Sequence, residues 1–150
     1  MPRIERTASV SWEGNVARGR GLIPADTGAF AELPFSLPTR IGQAEGNTSP
    51  EELLAAAHAG CLAMSLASEL TTAGSPPERL DVRATIRMDE VEGQGHQVVA
   101  STAEIRGRVD GVSEERWREA VAAAHKGCPF SALLDRAGAD VTVNAELEEA

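Results

Sequence analysis

Two kinds of hydrophobic spacing organise the chain. Residues 79–90 place Leu80, Val82, Ala84, Ile86 and Met88 at alternate positions, the period of a strand with one face on a core. Residues 96–109 follow the Glu92-Gly93-Gln94-Gly95 turn and read as its partner strand. Val141, Val143, Ala145 and Leu147 repeat the alternation over 139–147. Near the start the pattern is looser. Ile4, Ala8, Val10 and Trp12 predict a half-buried strand over 4–13, Glu13-Gly14-Asn15 a turn, and residues 16–23 a returning strand. A short strand near 30–36 precedes an irregular loop, because Pro34, Pro38, Gly28, Gly42 and Gly46 punctuate 25–48.

The helical period takes over at Asn47-Thr48-Ser49-Pro50-Glu51-Glu52. Ser49 can cap, Pro50 suits the first helical position, and Glu52 completes a capping box. The Ala- and Leu-rich run Leu53 to Thr72 follows, with Gly74 as its stop. A helix apolar nearly all round is buried in a core or at an interface. A second helix is predicted over 113–126, where Trp117, Ala120, Val121 and Ala124 form a core stripe and Gly127 ends the run. Cys128-Pro129 opens a short third helix, 129–137. The order predicts one α+β domain over 1–150, with antiparallel sheets around a long buried central helix.

Composition narrows the function. A chain of 150 residues with 14 basic and 23 acidic side chains has a net charge of −9. That balance, with Lys126 the single lysine and no tyrosine, disfavours nucleic acid as a partner. No apolar run is read as reaching the roughly 18 residues of a membrane span, so no membrane partner is expected. The N-terminus has no apolar export segment, which makes a cytoplasmic address the default. Two cysteines in such a compartment point to reduced, catalytic or redox-cycling thiols.

Local physics separates the two thiols. Cys61 lies mid-helix, where the helix dipole helps little, and needs a nearby cation to be reactive; otherwise it is a buried core thiol. Cys128 sits where a helix begins, and free N–H groups there favour a thiolate. His58 and His125 each precede a cysteine by three residues. They could supply zinc ligands with the cysteines, or act as hydrogen-bonded, partly buried histidines. Glu51 lies ten residues before Cys61, roughly 15 Å along one helix. The two meet only if a second copy brings its Glu51 to Cys61; otherwise Glu51 complements its helix N-terminus. Arg40, Arg18 and Arg20 are each able to supply a guanidinium. Trp12 and Trp117 read as core anchors, and Glu146-Leu147-Glu148-Glu149 as a solvated strand end.

Several segments in order resemble the OsmC/Ohr family of thiol peroxidases: Trp12-Glu13-Gly14, Arg18-Gly19-Arg20-Gly21, Pro38-Thr39-Arg40, Ser49-Pro50-Glu51-Glu52-Leu53, the Ala55 to Cys61 run, and Ala124 to Pro129. The Pro-Thr-Arg placement resembles the OsmC branch. The resemblance implies an intertwined homodimer with active sites at the subunit interface, built from Cys61, Cys128, Arg40 and Glu51. It implies Cys61 as the nucleophile that becomes a sulfenic acid and Cys128 as the partner in a Cys61–Cys128 disulfide. It further implies an organic hydroperoxide substrate, a dithiol reductant such as a lipoyl group, no cofactor or metal, and a role in oxidative or osmotic stress defence. Phe30, Phe35, Leu54, Met64 and Phe130 are candidates for an apolar substrate wall. The alternative is a non-catalytic redox-sensing or zinc-binding thiol protein of the same fold.

Overall fold

The structure, a computed structural model, describes residues 2–149. The chain divides into two compact units, Met1–Pro50 and Glu51–Ala150. The first unit is a three-stranded antiparallel sheet, β1 (Ser11–Glu13), β2 (Arg20–Ile23) and β3 (Leu33–Phe35), followed by the short helix α1 (Leu37–Ile41). The predicted strand over 4–13 shrinks to three exposed residues plus one bridge from Ala8 to Ala25, and Ile4 and Val10 stay exposed. The returning strand begins only at Arg20, because Val16 to Arg18 belong to the turn that Asn15 closes. Helix α1 occupies the segment expected to be irregular. Ser36 caps it by accepting the Thr39 N–H, and Pro38 sits in its first turn.

The second unit carries the main core. Helix α2 spans Pro50–Thr72 and stops before Gly74, whose φ of 85° no side-chained residue adopts readily. Strands β4 (Arg79–Val91) and β5 (Gly95–Arg108) form a long hairpin. Helices α3 (Glu114–Gly127) and α4 (Pro129–Arg136) then lead to β6 (Asp140–Leu147). β6 pairs parallel to β5, so the antiparallel expectation holds for every strand pair but this one. The cause is the connection: a crossover through two helices returns the chain in the same direction. Leu62, Leu66 and Leu70 of α2 pack with Ala103 and Ile105 of β5, Trp117 and Ala124 of α3, and Cys128. Trp117 is thus the core anchor expected of it, lying so close over Gly107 that a Cβ there would overlap its ring. Glu146 and Glu149 are exposed, as expected of a solvated strand end, whereas Glu148 is half-buried and pairs with Arg106 and Arg108 at 3.7 and 3.3 Å.

Helix α2 is long and apolar enough, by length and composition, to cross a membrane, with a mean hydropathy of 1.4. This corrects the expectation that no run reaches that length. Its buried positions His58, Leu62, Leu66 and Leu70 nevertheless belong to the core of the second unit. The rest of its apolar surface is less covered, and Met64 is 76% exposed.

Candidate active site

Cys128 joins two helices. Its N–H closes α3 on the Ala124 carbonyl at 2.8 Å, and its sulfur caps α4 by accepting the Ser131 N–H at 3.5 Å. Pro129 follows at the first turn of α4, where a missing N–H does no harm. The residue is completely buried. Cys61 lies one turn beyond His58 on α2, remains partly exposed, and packs against the edge of the core. Both thiols are free.

The two thiols lie close enough to shift each other's ionisation, Cys61 as donor and Cys128 as acceptor. Burial pushes the Cys61 thiol up, and Cys128 pushes it further by accepting its proton and by charge; the Phe130 N–H and Ser65 act against this. For Cys128, burial opposes ionisation but is outweighed. The Ser131 N–H and hydroxyl, the Cys61 thiol and the Phe130 N–H hold it below the ordinary cysteine value. Within one chain, therefore, the proton sits on Cys61 and the charge is favoured on Cys128, as the helix N-terminus predicts.

His58 is hydrogen-bonded, as one of the two sequence readings has it, but is more deeply buried than expected. It is fully buried, with Nδ1 2.7 Å from the Ser101 hydroxyl on β5 and Nε2 2.8 Å from the Ser131 hydroxyl on α4. Burial, then the nearby His125, lowers its pKa, so the imidazole is neutral. Ser101 and Ser131 were missed. The one available signal was polarity out of place: Ser101 shares an inward face with Ala103 and Ile105. The zinc alternative loses its first ligand here, because both His58 nitrogens are engaged by serines. Among the described residues, no group of three or more His, Cys, Asp or Glu is arranged to hold a metal. His125 is the less satisfied histidine, with a buried Nδ1 that lacks a partner.

Arg40 sits in the last turn of α1, in the first unit, and Glu51 in the first turn of α2. Arg40 lines a cavity of about 350 Å³ with Trp12, Val16, Phe35, Ser36 and Leu37. The Trp12 and Phe35 rings meet there with centroids 5.6 Å apart and planes tilted by 49°. Trp12 is thus a cavity wall, 38% exposed, rather than the core anchor predicted. Of the expected apolar wall, Phe35 lines this cavity; Phe30, Leu54, Met64 and Phe130 do not. Arg18 and Arg20 lie before and at the start of β2 and are not among its lining residues.

Comparison with known proteins places this chain in a family. Residues 42–144 match the model of the OsmC-like proteins. The chain is 30% identical over 145 residues to Peroxiredoxin OsmC of Escherichia coli strain K12, covering 97% of this chain and 98% of that protein. An organic hydroperoxide resistance protein from Elizabethkingia anophelis has the same fold at 22% identity, with a TM-score of 0.74 and coverage of 99% and 100%. So does OhrB of Bacillus subtilis, at 24% identity and a TM-score of 0.68, with coverage of 93% and 98%. A matched family model over more than half the chain, and a relative aligned along nearly the whole of both sequences, establish that this protein belongs to the OsmC family.

Proposed function

We propose that the protein is a two-cysteine thiol peroxidase of the OsmC branch that reduces organic hydroperoxides to alcohols. The observation that carries this reading is that the two free thiols, one on α2 and one at the start of α4, lie close enough for each to shift the other's ionisation. The name of the Escherichia coli relative, a peroxiredoxin, supports peroxidase chemistry in general.

Unequal access supports different roles for the two thiols. Cys128 is the more acidic thiol but is sealed, whereas Cys61 is partly exposed. A peroxide reaches only Cys61. The Cys61 thiolate attacks the terminal peroxide oxygen; the O–O bond breaks, the alcohol leaves after taking a proton, and Cys61 becomes a sulfenic acid. The Cys128 thiolate then attacks the Cys61 sulfur; the S–S bond forms, the S–O bond breaks, and the departing hydroxide is protonated to water. A dithiol, with a lipoyl group as the favoured class, reduces the disulfide by exchange.

Cys61 needs a cation, because its own chain favours the charge on Cys128. Arg40 fills that role in this reading, stabilising the Cys61 thiolate and the leaving oxygen, and Glu51 orients the guanidinium. Glu51 stands ten residues from Cys61 on one helix, so the arrangement calls for a second copy of the chain. A homodimer is supported by the uncovered apolar surface of α2, including Met64. The Trp12 and Phe35 cavity beside Arg40 suits a bulky apolar peroxide. In this reading the two units act as one functional domain, in the cytoplasm, in defence against oxidative or osmotic stress. The test is multiple turnover of cumene hydroperoxide with dihydrolipoamide as the reductant. Sustained turnover that is lost in Cys61→Ser supports the peroxidase; one oxidation event without cycling points instead to a redox sensor.

A further inference from the structure

Resting on that two-cysteine reading, we propose that His58 is a positioning residue for disulfide closure, locking the first turn of α4, and with it the Cys128 sulfur, against the turn of α2 that carries Cys61. Ser131 is the joint. Its hydroxyl meets His58 Nε2 at 2.8 Å, while its own N–H meets the Cys128 sulfur at 3.5 Å. The other side of the ring is fixed to β5 through Ser101 at 2.7 Å. A single rigid imidazole thus ties α2, β5 and α4 together, three residues from Cys61.

A merely space-filling side chain would do this differently. The site is wholly buried, and an apolar residue would fill it without needing two serine partners. A fully satisfied buried polar network instead specifies one arrangement of its members. The neutral ring has one donor and one acceptor, so one serine hydroxyl donates to it and the other accepts from it. Helix α4 is only eight residues long, and its first turn depends on such ties to keep the Cys128 sulfur in place.

The step concerned is closure: Cys128 attacks the Cys61 sulfenic sulfur, the S–S bond forms, and the S–O bond breaks with loss of water. This requires the Cys128 sulfur in line with the breaking bond. A misplacement of about 1 Å slows such a step on the order of 10²-fold. Delay exposes the sulfenic acid to a second peroxide, which oxidises it to sulfinic acid.

The experiment compares His58→Leu and His58→Gln with the parent protein. Leucine fills space and strands both serines; the glutamine amide offers an N–H group to donate to one serine and a carbonyl oxygen to accept from the other. Quenched-flow mass spectrometry after one equivalent of cumene hydroperoxide, with dimedone trapping, separates sulfenic acid formation from disulfide formation. His58→Leu is expected to slow disulfide formation by on the order of 10²-fold relative to sulfenic acid formation, and to accumulate sulfinic Cys61 in excess peroxide. His58→Gln is expected to recover most of the rate. Equilibration with the glutathione couple measures the same geometry without peroxide, and there His58→Leu should weaken the disulfide. Equal closure rates and equal glutathione equilibria in parent and His58→Leu overturn the inference. A parent protein inert to peroxide, with a glutathione equilibrium still shifted by His58→Leu, would remove the peroxidase reading and leave the positioning role standing. If His58→Leu fails to fold by circular dichroism, Ser101→Ala carries the test with expectations of the same sign, since it frees the His58 ring from β5 and leaves the Ser131 contacts to Cys128 in place.

Discussion

Removing either cysteine should move the other in the opposite direction. In the reduced protein the Cys61 thiol donates to the Cys128 sulfur. Cys128→Ala takes away two of the three influences that hold Cys61 up, leaving burial against the Phe130 N–H and Ser65. Cys61 then ionises more readily. Cys61→Ala takes one donor from Cys128, while Ser131 and Phe130 still act. Cys128 then ionises less readily. A hydrogen bond to a charged group contributes about 1.5–3 kcal/mol, and about 1.4 kcal/mol is a factor of ten in ionisation. At a pH below the titration, the Cys61 thiolate fraction should rise about ten- to hundredfold in Cys128→Ala, and the Cys128 fraction should fall by a comparable or smaller factor in Cys61→Ala. The single variants are the proper comparison, because the intact pair titrates in macroscopic steps that belong to neither residue. Ultraviolet thiolate absorbance against pH reads the fractions directly. Alkylation of Cys61 would change less, about three- to tenfold, because a more acidic thiol is a weaker nucleophile. Shifts of the same sign in both variants, or no shift in either, would refute the shared hydrogen bond.

Three further outcomes follow from the same geometry. Arg40→Met should slow stopped-flow oxidation of Cys61 by cumene hydroperoxide by about 10²- to 10³-fold, with Arg18→Met near the parent rate; the reverse pattern would move the cation to the β2 region. Gly107→Ala drives a methyl into the Trp117 ring and should destabilise by about 1–3 kcal/mol. Thermal denaturation would read this as about 2–4 °C per kcal/mol, and an unchanged midpoint would show that Trp117 is free to move. Met64→Arg places a charge on the exposed face of α2; if the proposed homodimer uses that face, sedimentation velocity should show a dimer for the parent and a monomer for the variant, and a variant that stays dimeric would place the interface elsewhere.

Legibility in the sequence followed the range of the interactions. The β4–β5 hairpin was readable because alternate residues face opposite sides of one sheet. The α3–Cys128–α4 junction was readable because a cap followed by proline is a local device. The direction of β6 was not, since its own alternation is the same in parallel and antiparallel pairings. The first unit was read least well. Its strands are three or four residues long, and Pro38 and Gly42 disguised α1 as a loop. At the site, local rules singled out Cys128 as the acidic thiol, and family resemblance singled out Cys61 as the nucleophile. The His58 bridge was beyond either, because its serine partners lie 43 and 73 residues away. Trp12 was misread because its wall is completed by Phe35 from another strand.

The most direct test of the two-cysteine account is the intact mass of pre-reduced protein before and after one equivalent of cumene hydroperoxide. The account predicts prompt loss of two hydrogens and, after digestion, a peptide joining Cys61 to Cys128. Unchanged mass with both thiols still open to alkylation after denaturation would contradict it.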